Sequence, residues 1–300
     1  MIKNGALLLK KHNFLSLLIL FLILLLSACK TIPVGRLVDP IELLDNDSVF
    51  YIAIPKNADS VLINRIIKNN IKNLSESDAN LITGKVNKVY CGLIRSKNVT
   101  SVQASIDAEI PTGYIPKVMT SKNGFSSKGF KPVDSTVEYK IYSNNGIYLA
   151  FPSSNICCLG RNIDTMLTKF DTLSKLPAED IEIYSDLAPE LIDYLKDAED
   201  EIRFYANKPQ SFLTILTGAQ LDLKLIDVKG SFVTDPKHND QYLLDLDFQF
   251  KNPTYLKAGK GLLTLAFGLT NSQSEIYNEN CLKITGIKLD KKQLYKLLVL

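Results

Sequence analysis

Two stretches of the chain alternate between apolar and polar residues. Apolar side chains occupy every second position from Val102 to Ile110, and again from Leu244 to Phe250. A period of two predicts half-buried strands with one wet face, which is typical of an antiparallel sheet. Shorter apolar runs predict further strands over residues 49–54, 86–95, 136–143, 147–151, 156–159, 202–206, 221–228, 231–234 and 283–288.

Other segments space their apolar residues three and four positions apart, as helices do. The clearest begins at a capping residue, Asp59 or Ser60. Its apolar positions are Ile63, Ile66, Ile67, Ile71 and Leu74. Further helices are predicted at 75–82, after Asn162, within 175–201, at 211–216 and after Asp290. Helices combined with antiparallel strands predict an α+β fold, in which the helices pack against antiparallel sheets.

Two segments do not follow either pattern. The apolar stretch from Gly259 to Gly268 fits a buried strand or a helix, and its glycines count against the helix. Residues 121–135 are rich in Gly, Ser and Lys, so we predict a loop there.

The order of predicted elements is similar in the two halves of the chain. A Phe-Tyr strand opens each half and a proline follows it, at Phe50-Tyr51 with Pro55 and at Phe204-Tyr205 with Pro209. We interpret this as two diverged α+β repeats. The alternative is coincidence, because α+β elements often recur by chance.

The amino-terminal residues have the pattern of a signal peptide. Lys10 and Lys11 precede an apolar run from Phe14 to Leu26 that only Ser16 interrupts. A helix of these 13 residues is about 20 Å long, shorter than the roughly 30 Å hydrocarbon layer of a bilayer. A basic start, a short apolar core and small residues after it indicate a secretory signal peptide. An uncleaved signal anchor is the alternative.

The run ends in Leu26-Ser27-Ala28-Cys29, which resembles the lipobox of bacterial lipoprotein precursors. The resemblance implies that Cys29 receives a diacylglyceryl group, that a signal peptidase cuts between Ala28 and Cys29, and that the new amine is acylated. Two or three acyl chains give durable anchoring to a membrane. Lys30 stands where an Asp would resemble an inner-membrane retention signal, which favours the outer membrane. The Lys-, Asn- and Ile-rich composition fits an AT-rich, spirochaete-like genome, which suggests a spirochaete-type lipoprotein, and the sequence after the lipobox resembles no particular family.

These observations divide the chain into five segments. We predict a signal peptide over 1–28, a lipidated cysteine and tether over 29–46, a first α+β lobe over 47–174, a linker helix over 175–198 and a second α+β lobe over 199–300.

Without the signal peptide the chain is electrically neutral. The leader supplies three of the 35 basic residues and no acidic residue, so the remaining basic residues balance the 32 acidic ones. Neutrality removes the main support for a nucleic-acid partner. The expected partners are the membrane, through the lipid anchor, and an envelope protein or an apolar ligand.

Four further cysteines lie in apolar, strand-like segments: Cys91, Cys157, Cys158 and Cys281. The compartment beyond the inner membrane permits disulfides. We expect buried thiols that act as small hydrophobic residues. A disulfide from Cys91 to Cys157 or Cys158 is the alternative.

No motif assigns a catalytic or metal-binding residue. After the leader the sequence has one histidine, His238, which lies in a polar turn over 234–240. The sequence contains no HExxH or GxSxG motif, and no second histidine after the leader could act with it. We therefore predict no catalytic residue, no metal and no cofactor other than the diacylglyceryl and N-acyl lipid on Cys29. A catalytic triad built on His238 is the alternative.

The sequence thus predicts a membrane-anchored, non-enzymatic lipoprotein of the cell envelope that acts as a binding or scaffolding module. The cleft between the lobes, or the apolar side of the sheets, is the default site. One alternative is a periplasmic carrier of a lipid or other apolar ligand, because half-apolar strands lie next to a membrane tether. A second alternative is an envelope hydrolase without a recognisable motif.

Overall fold

The computed structural model describes residues 35–71, 74–96, 99–178, 185–217, 220–267 and 272–298. These residues fall into two units. The larger unit holds the described residues of 38–173 and 182–300. In the smaller unit, Gly35 forms an antiparallel bridge with Pro177, and the Arg36 amide donates to the Leu176 carbonyl at 3.1 Å.

The strands of the larger unit form one sheet. Their bounds are β1 Phe50–Pro55, β2 Val86–Ser96, β3 Val99–Ala108, β4 Ser126–Phe130, β5 Tyr139–Asn144, β6 Ile147–Ala150, β7 Ile156–Gly160, β8 Ile202–Ala206, β9 Leu225–Thr234, β10 Gln241–Phe250, β11 Gln273–Asn278 and β12 Cys281–Asp290. Across the sheet the order is β11-β12-β10-β9-β8-β1-β2-β3-β7-β6-β5-β4, and the strand pairs are antiparallel.

Eight α-helices connect or flank these strands within the described residues. They are α1 Ser60–Asn70, α2 Glu76–Lys85, α3 Ile115–Val118, α4 Asp164–Leu173, α5 Pro189–Lys196, α6 Pro209–Thr217, α7 Pro253–Phe267 and α8 Lys291–Leu298. Short 3-10 helices occupy Pro40–Leu43 and Ser121–Asn123. Helices packed against an antiparallel sheet confirm the predicted α+β class.

The two halves of the chain meet at the centre of this sheet. Strand β1 pairs with β8, so that Tyr51 lies opposite Tyr205 and Ile52 opposite Phe204. On one side of the junction the strands run outward as β1, β2, β3 and β7, and on the other as β8, β9, β10 and β12. The strand order therefore repeats across the junction. The division into two lobes with a linker helix stays a prediction, since one sheet includes strands of both.

Each face of the sheet buries apolar side chains. The larger core lies under α1, α6, α7 and α8 and includes Ile52, Phe204, Phe248 and Leu282. Phe204 is stacked on Phe212 of α6, with ring centroids 5.0 Å apart. On the opposite face, α5 packs against β8 and β1, and the 3-10 turn over 40–43 packs against β3 and α4.

A buried ion pair ties the helices of the two halves together. Asp59 precedes α1, and its Oδ1 accepts from the Leu62 amide at 2.8 Å, which caps the helix. Its Oδ2 accepts from Lys291 Nζ at 2.7 Å and from Tyr242 Oη at 2.8 Å. Lys291 begins α8, so this carboxylate fixes both helices over the same core.

Several elements differ from the predictions, among them the short helix α3, which was not predicted. Residues 126–130 form β4 rather than part of a loop, and residues 273–278 form β11, which was not predicted. Both strands are largely exposed, so neither shows the apolar alternation on which a strand prediction depends. The strands predicted at 221–228 and 231–234 are one strand, β9, which passes through Gly230.

The ambiguous stretch at 259–268 belongs to a helix as far as it is described, because α7 spans Pro253–Phe267. Gly259 lies where the helix touches the sheet. A Cβ atom there would be 2.5 Å from Cε1 of Phe250. The glycine therefore permits close packing, which offsets its unfavourable helix propensity.

Candidate functional site

An apolar cavity opens in the first half of the sheet, on the face that α1, α6, α7 and α8 cover (the helix-bearing face). Strands β3, β7 and β6 form its floor, α1 and α2 form one wall, and the segment over 109–119 forms the other. Its volume is about 150 Å³. A cavity of this volume holds a group about the size of benzene.

The floor follows directly from strand alternation. Ile106 and Ala108 are two positions apart on β3, so both side chains point to the same face. Cys157 and Leu159 repeat this on β7, where Cys157 lies opposite Ile106 in the register. Leu149 of β6 extends the floor.

The helical wall comes from the spacing that predicted α1. Ile66 and Ile67 of α1 line the cavity, together with Ile71, which directly follows the helix. Leu81 and Ile82 of α2 complete the wall.

The opposite wall is the irregular segment between β3 and β4. A turn follows Pro111, in which the Tyr114 amide donates to the Pro111 carbonyl at 2.8 Å. The four-residue helix α3 comes next and places Ile115 and Val118 on the cavity. This wall is short, whereas the segment that follows β10 in the other half is the 15-residue helix α7.

Charged groups lie only at the rim, among the described residues that line the cavity. Lys85 ends α2 and Glu109 follows β3, and Lys85 Nζ is 3.0 Å from Glu109 Oε2. Both side chains are largely exposed, at 46% and 73%. The hydrogen bond and charge of Lys85, with a smaller effect from Lys56, hold the pKa of Glu109 below its ordinary value.

The cysteines in the described residues are free and buried. Burial raises the pKa of Cys91 and of Cys157 to about 12 and raises that of Cys158 as well. The possible disulfide from Cys91 to Cys157 or Cys158 is not formed. Strand β3 lies between β2 and β7, which separates these residues by two strand spacings, about 10 Å, too far for an S–S bond.

His238 lies in the turn between β9 and β10 and does not line the cavity. Its Nδ1 is 3.0 Å from Asp235 Oδ2. The Lys237 amide and His238 donate hydrogen bonds to Asp235 and hold the pKa of that carboxyl below its ordinary value. These contacts are those of a stabilised hairpin turn.

The remaining predicted site residues, Ala28 and Cys29, lie outside the described residues. Within the described residues, no group of three or more His, Cys, Asp or Glu side chains is placed to hold a metal ion. The helices described here are also too short or too polar to cross a membrane.

Sequence reasoning located the apolar faces around this cavity but not the cavity itself. The apolar side of the sheets was one of two default sites in the sequence analysis, and the segment from Pro111 to Met119 received no role. In the sequence, the one indication that this segment forms a separate wall is Pro111, which directly follows an alternating strand. Proline ends a strand, so the residues after it leave the sheet.

The fold and the cavity together define a class, an α+β protein with one antiparallel sheet and an apolar pocket on one of its faces. The sequence model of a protein family described as "Outer membrane-associated lipoprotein TP0453" matches residues 35–295. The chain belongs to this family. It is therefore a membrane-associated lipoprotein of the cell envelope, and the predicted preference for the outer membrane is confirmed.

Solved structures share the fold of this chain. The structures of crystal forms I, III and IV of TP0453 superpose on this chain with TM-scores of 0.63, 0.62 and 0.60. Their sequence identities are 18%, 17% and 16%, and each alignment covers 87% of this chain and 97%, 98% and 97% of the other. Among curated proteins no match is found.

Proposed function

We propose that this chain is a non-enzymatic binding module, anchored through the lipid on Cys29, whose cavity receives the hydrocarbon part of an apolar ligand. The observation that carries the proposal is the lining. It is apolar except at the rim, so the interior favours a hydrocarbon group and gives a polar one no partner. Association with a membrane supplies such ligands at close range.

Binding strength should grow with the length of chain that enters. Each buried methylene contributes about 0.8 kcal/mol, a factor of about four in affinity. We expect this gain to stop once the cavity is full, because longer chains leave their ends in water or lipid.

The test is photo-crosslinking with the full-length lipoprotein in phosphatidylcholine vesicles. The probe is a long-chain fatty acid with a diazirine at the end of its chain, and crosslinked peptides are identified by mass spectrometry. The proposal expects labels within 66–82 and 106–119, where the cavity is lined.

Ala108→Phe is the matching variant, since Ala108 lines the floor and a phenyl ring there fills the space. We expect it to abolish labelling of these peptides. Ala258→Phe is the control, because Ala258 is exposed on α7. Labels confined to other surfaces, or cavity labels that survive Ala108→Phe in a folded protein, would overturn the proposal.

A scaffolding role has one observation in its favour. Helix α7 exposes Leu262 and Leu265, at 50% and 77%, and neighbouring apolar side chains on a surface often mark a protein contact. If this role is correct, the lipoprotein extracted from its own membrane carries a protein-sized excess mass.

A further inference from the structure

The rim of the cavity carries charged side chains, whereas its interior is apolar. Lys85 and Glu109 are the charged residues that line the cavity, and both are exposed enough to meet a group at its mouth. Lys56 lies next to them, where its Nζ donates to the carbonyl of Gly84. Lys117 is on the opposite wall, with its Nζ 5.8 Å from the Tyr114 ring centroid. Lys85 and Lys56 therefore outnumber Glu109 on the side of the rim where α2 ends.

The size of the interior limits what enters. A volume near 150 Å³ holds one benzene-sized group, so it accommodates part of a single acyl chain and not a pair of chains. The head of such a molecule stays at the rim, since burying a polar or charged head among apolar side chains is unfavourable.

Lys85 is the group that such a head meets. Its ammonium is already held at the rim by Glu109, at 3.0 Å. An anionic head that enters the mouth competes with Glu109 for the same hydrogen bonds, and Lys56 adds to the attraction. A neutral head gains much less from either lysine.

We propose that the ligand of this cavity is a single-chain amphiphile with an anionic head, and that Lys85 selects this head while Glu109 opposes it. This inference rests on the proposed function. Lys85 is a specificity-determining residue here, and the hydrocarbon lining supplies the rest of the binding.

The test compares two diazirine probes of equal chain length, a fatty acid and the corresponding fatty alcohol, on the full-length lipoprotein in phosphatidylcholine vesicles. The pH is set where the acid is ionised. The measured quantity is the acid-to-alcohol ratio of labelling on the cavity peptides. We expect Lys85→Gln to lower this ratio about two- to fivefold and Glu109→Gln to raise it by a similar factor, as for exposed ion pairs.

Lys251→Gln is the matched control, because Lys251 is exposed and lies outside the cavity. Its ratio should equal that of the unchanged protein. A ratio that Lys85→Gln and Glu109→Gln leave unchanged, with both probes labelling the cavity, overturns the inference and leaves the proposed function standing. Failure of both probes to label the cavity overturns the proposed function, and the inference with it.

Discussion

Asp59 connects several elements of the helix-bearing face through a single carboxylate. It is 7% exposed, and its carboxylate accepts hydrogen bonds from Lys291, Tyr242 and the Leu62 amide. Removing one charge of a buried pair is costly because the other charge remains without its partner. The residue also caps α1, so two elements lose support together.

Asp59→Asn should lower the free energy of unfolding by about 3 kcal/mol, because Lys291 loses its counter-charge while the cap is largely kept. Chemical denaturation of the purified mature protein measures this. Asp200→Asn is the control, since Asp200 is exposed and should change stability by less than about 0.5 kcal/mol.

The effect of Asp59→Asn should depend on pH in a fixed direction. Burial raises the pKa of Asp59, but hydrogen bonds from Lys291, Leu62 and Tyr242 outweigh it and hold the pKa below its ordinary value. A lowered folded-state pKa gives a contribution that is complete above the unfolded pKa of about 4 and is lost as the pH falls through the folded value. The stability difference between the two proteins should therefore shrink below about pH 4. A difference that stays constant or grows there would contradict this.

At the scale of elements, α7 shows why the local sequence pattern was insufficient to predict a helix. Its glycines argue against a helix when they are read alone. Gly259 is required because the helix backbone approaches Phe250, a contact that only the folded sheet creates. Gly261, two positions later, has no heavy atom within 4 Å of where its Cβ would be, apart from its chain neighbours and the backbone of its own helix.

Gly259→Ala and Gly261→Ala should therefore have opposite effects. The first should lower the free energy of unfolding by about 1–2 kcal/mol, because crowding against Phe250 exceeds the gain in helix propensity. The second should raise it by up to about 1 kcal/mol. Thermal unfolding of the two variants side by side checks both signs, and a stabilised Gly259→Ala would mean that the helix does not pack as described.

The strands with alternating apolar residues were predictable from the sequence. Strand β10 is such a case, because the alternation from Leu244 to Phe250 records one buried and one wet face. The edge strands β4 and β11 were not predictable. Their side chains are mostly exposed, so hydrogen bonding to one neighbour determines their form and leaves no apolar pattern.

At the scale of the whole molecule, the two sides of the sheet differ in how they are filled. Beside β10 and β12, helix α7 brings Leu256 and Leu263 into the core. Beside β3 and β7, the shorter segment over 109–119 leaves a cavity. A similar strand order thus supports a filled core on one side and a ligand-sized space on the other.

This space could not be predicted from the sequence. Ile67 and Ile106 have the same character whether they meet another side chain or an empty volume. Whether apolar faces leave a void depends on how closely the walls approach, which is a property of the folded chain. The lipobox, in contrast, is a local motif and was visible at once.

Each chain is expected to bind one single-chain apolar ligand. Native mass spectrometry of the lipoprotein, extracted gently from its own membrane, measures this stoichiometry. The baseline is the mass of the acylated chain that begins at Cys29, and Ala108→Phe is measured in parallel. We expect one extractable excess mass of single-chain size per protein chain, and no such mass on the variant. The bare baseline mass, or an excess that Ala108→Phe leaves unchanged, would contradict it.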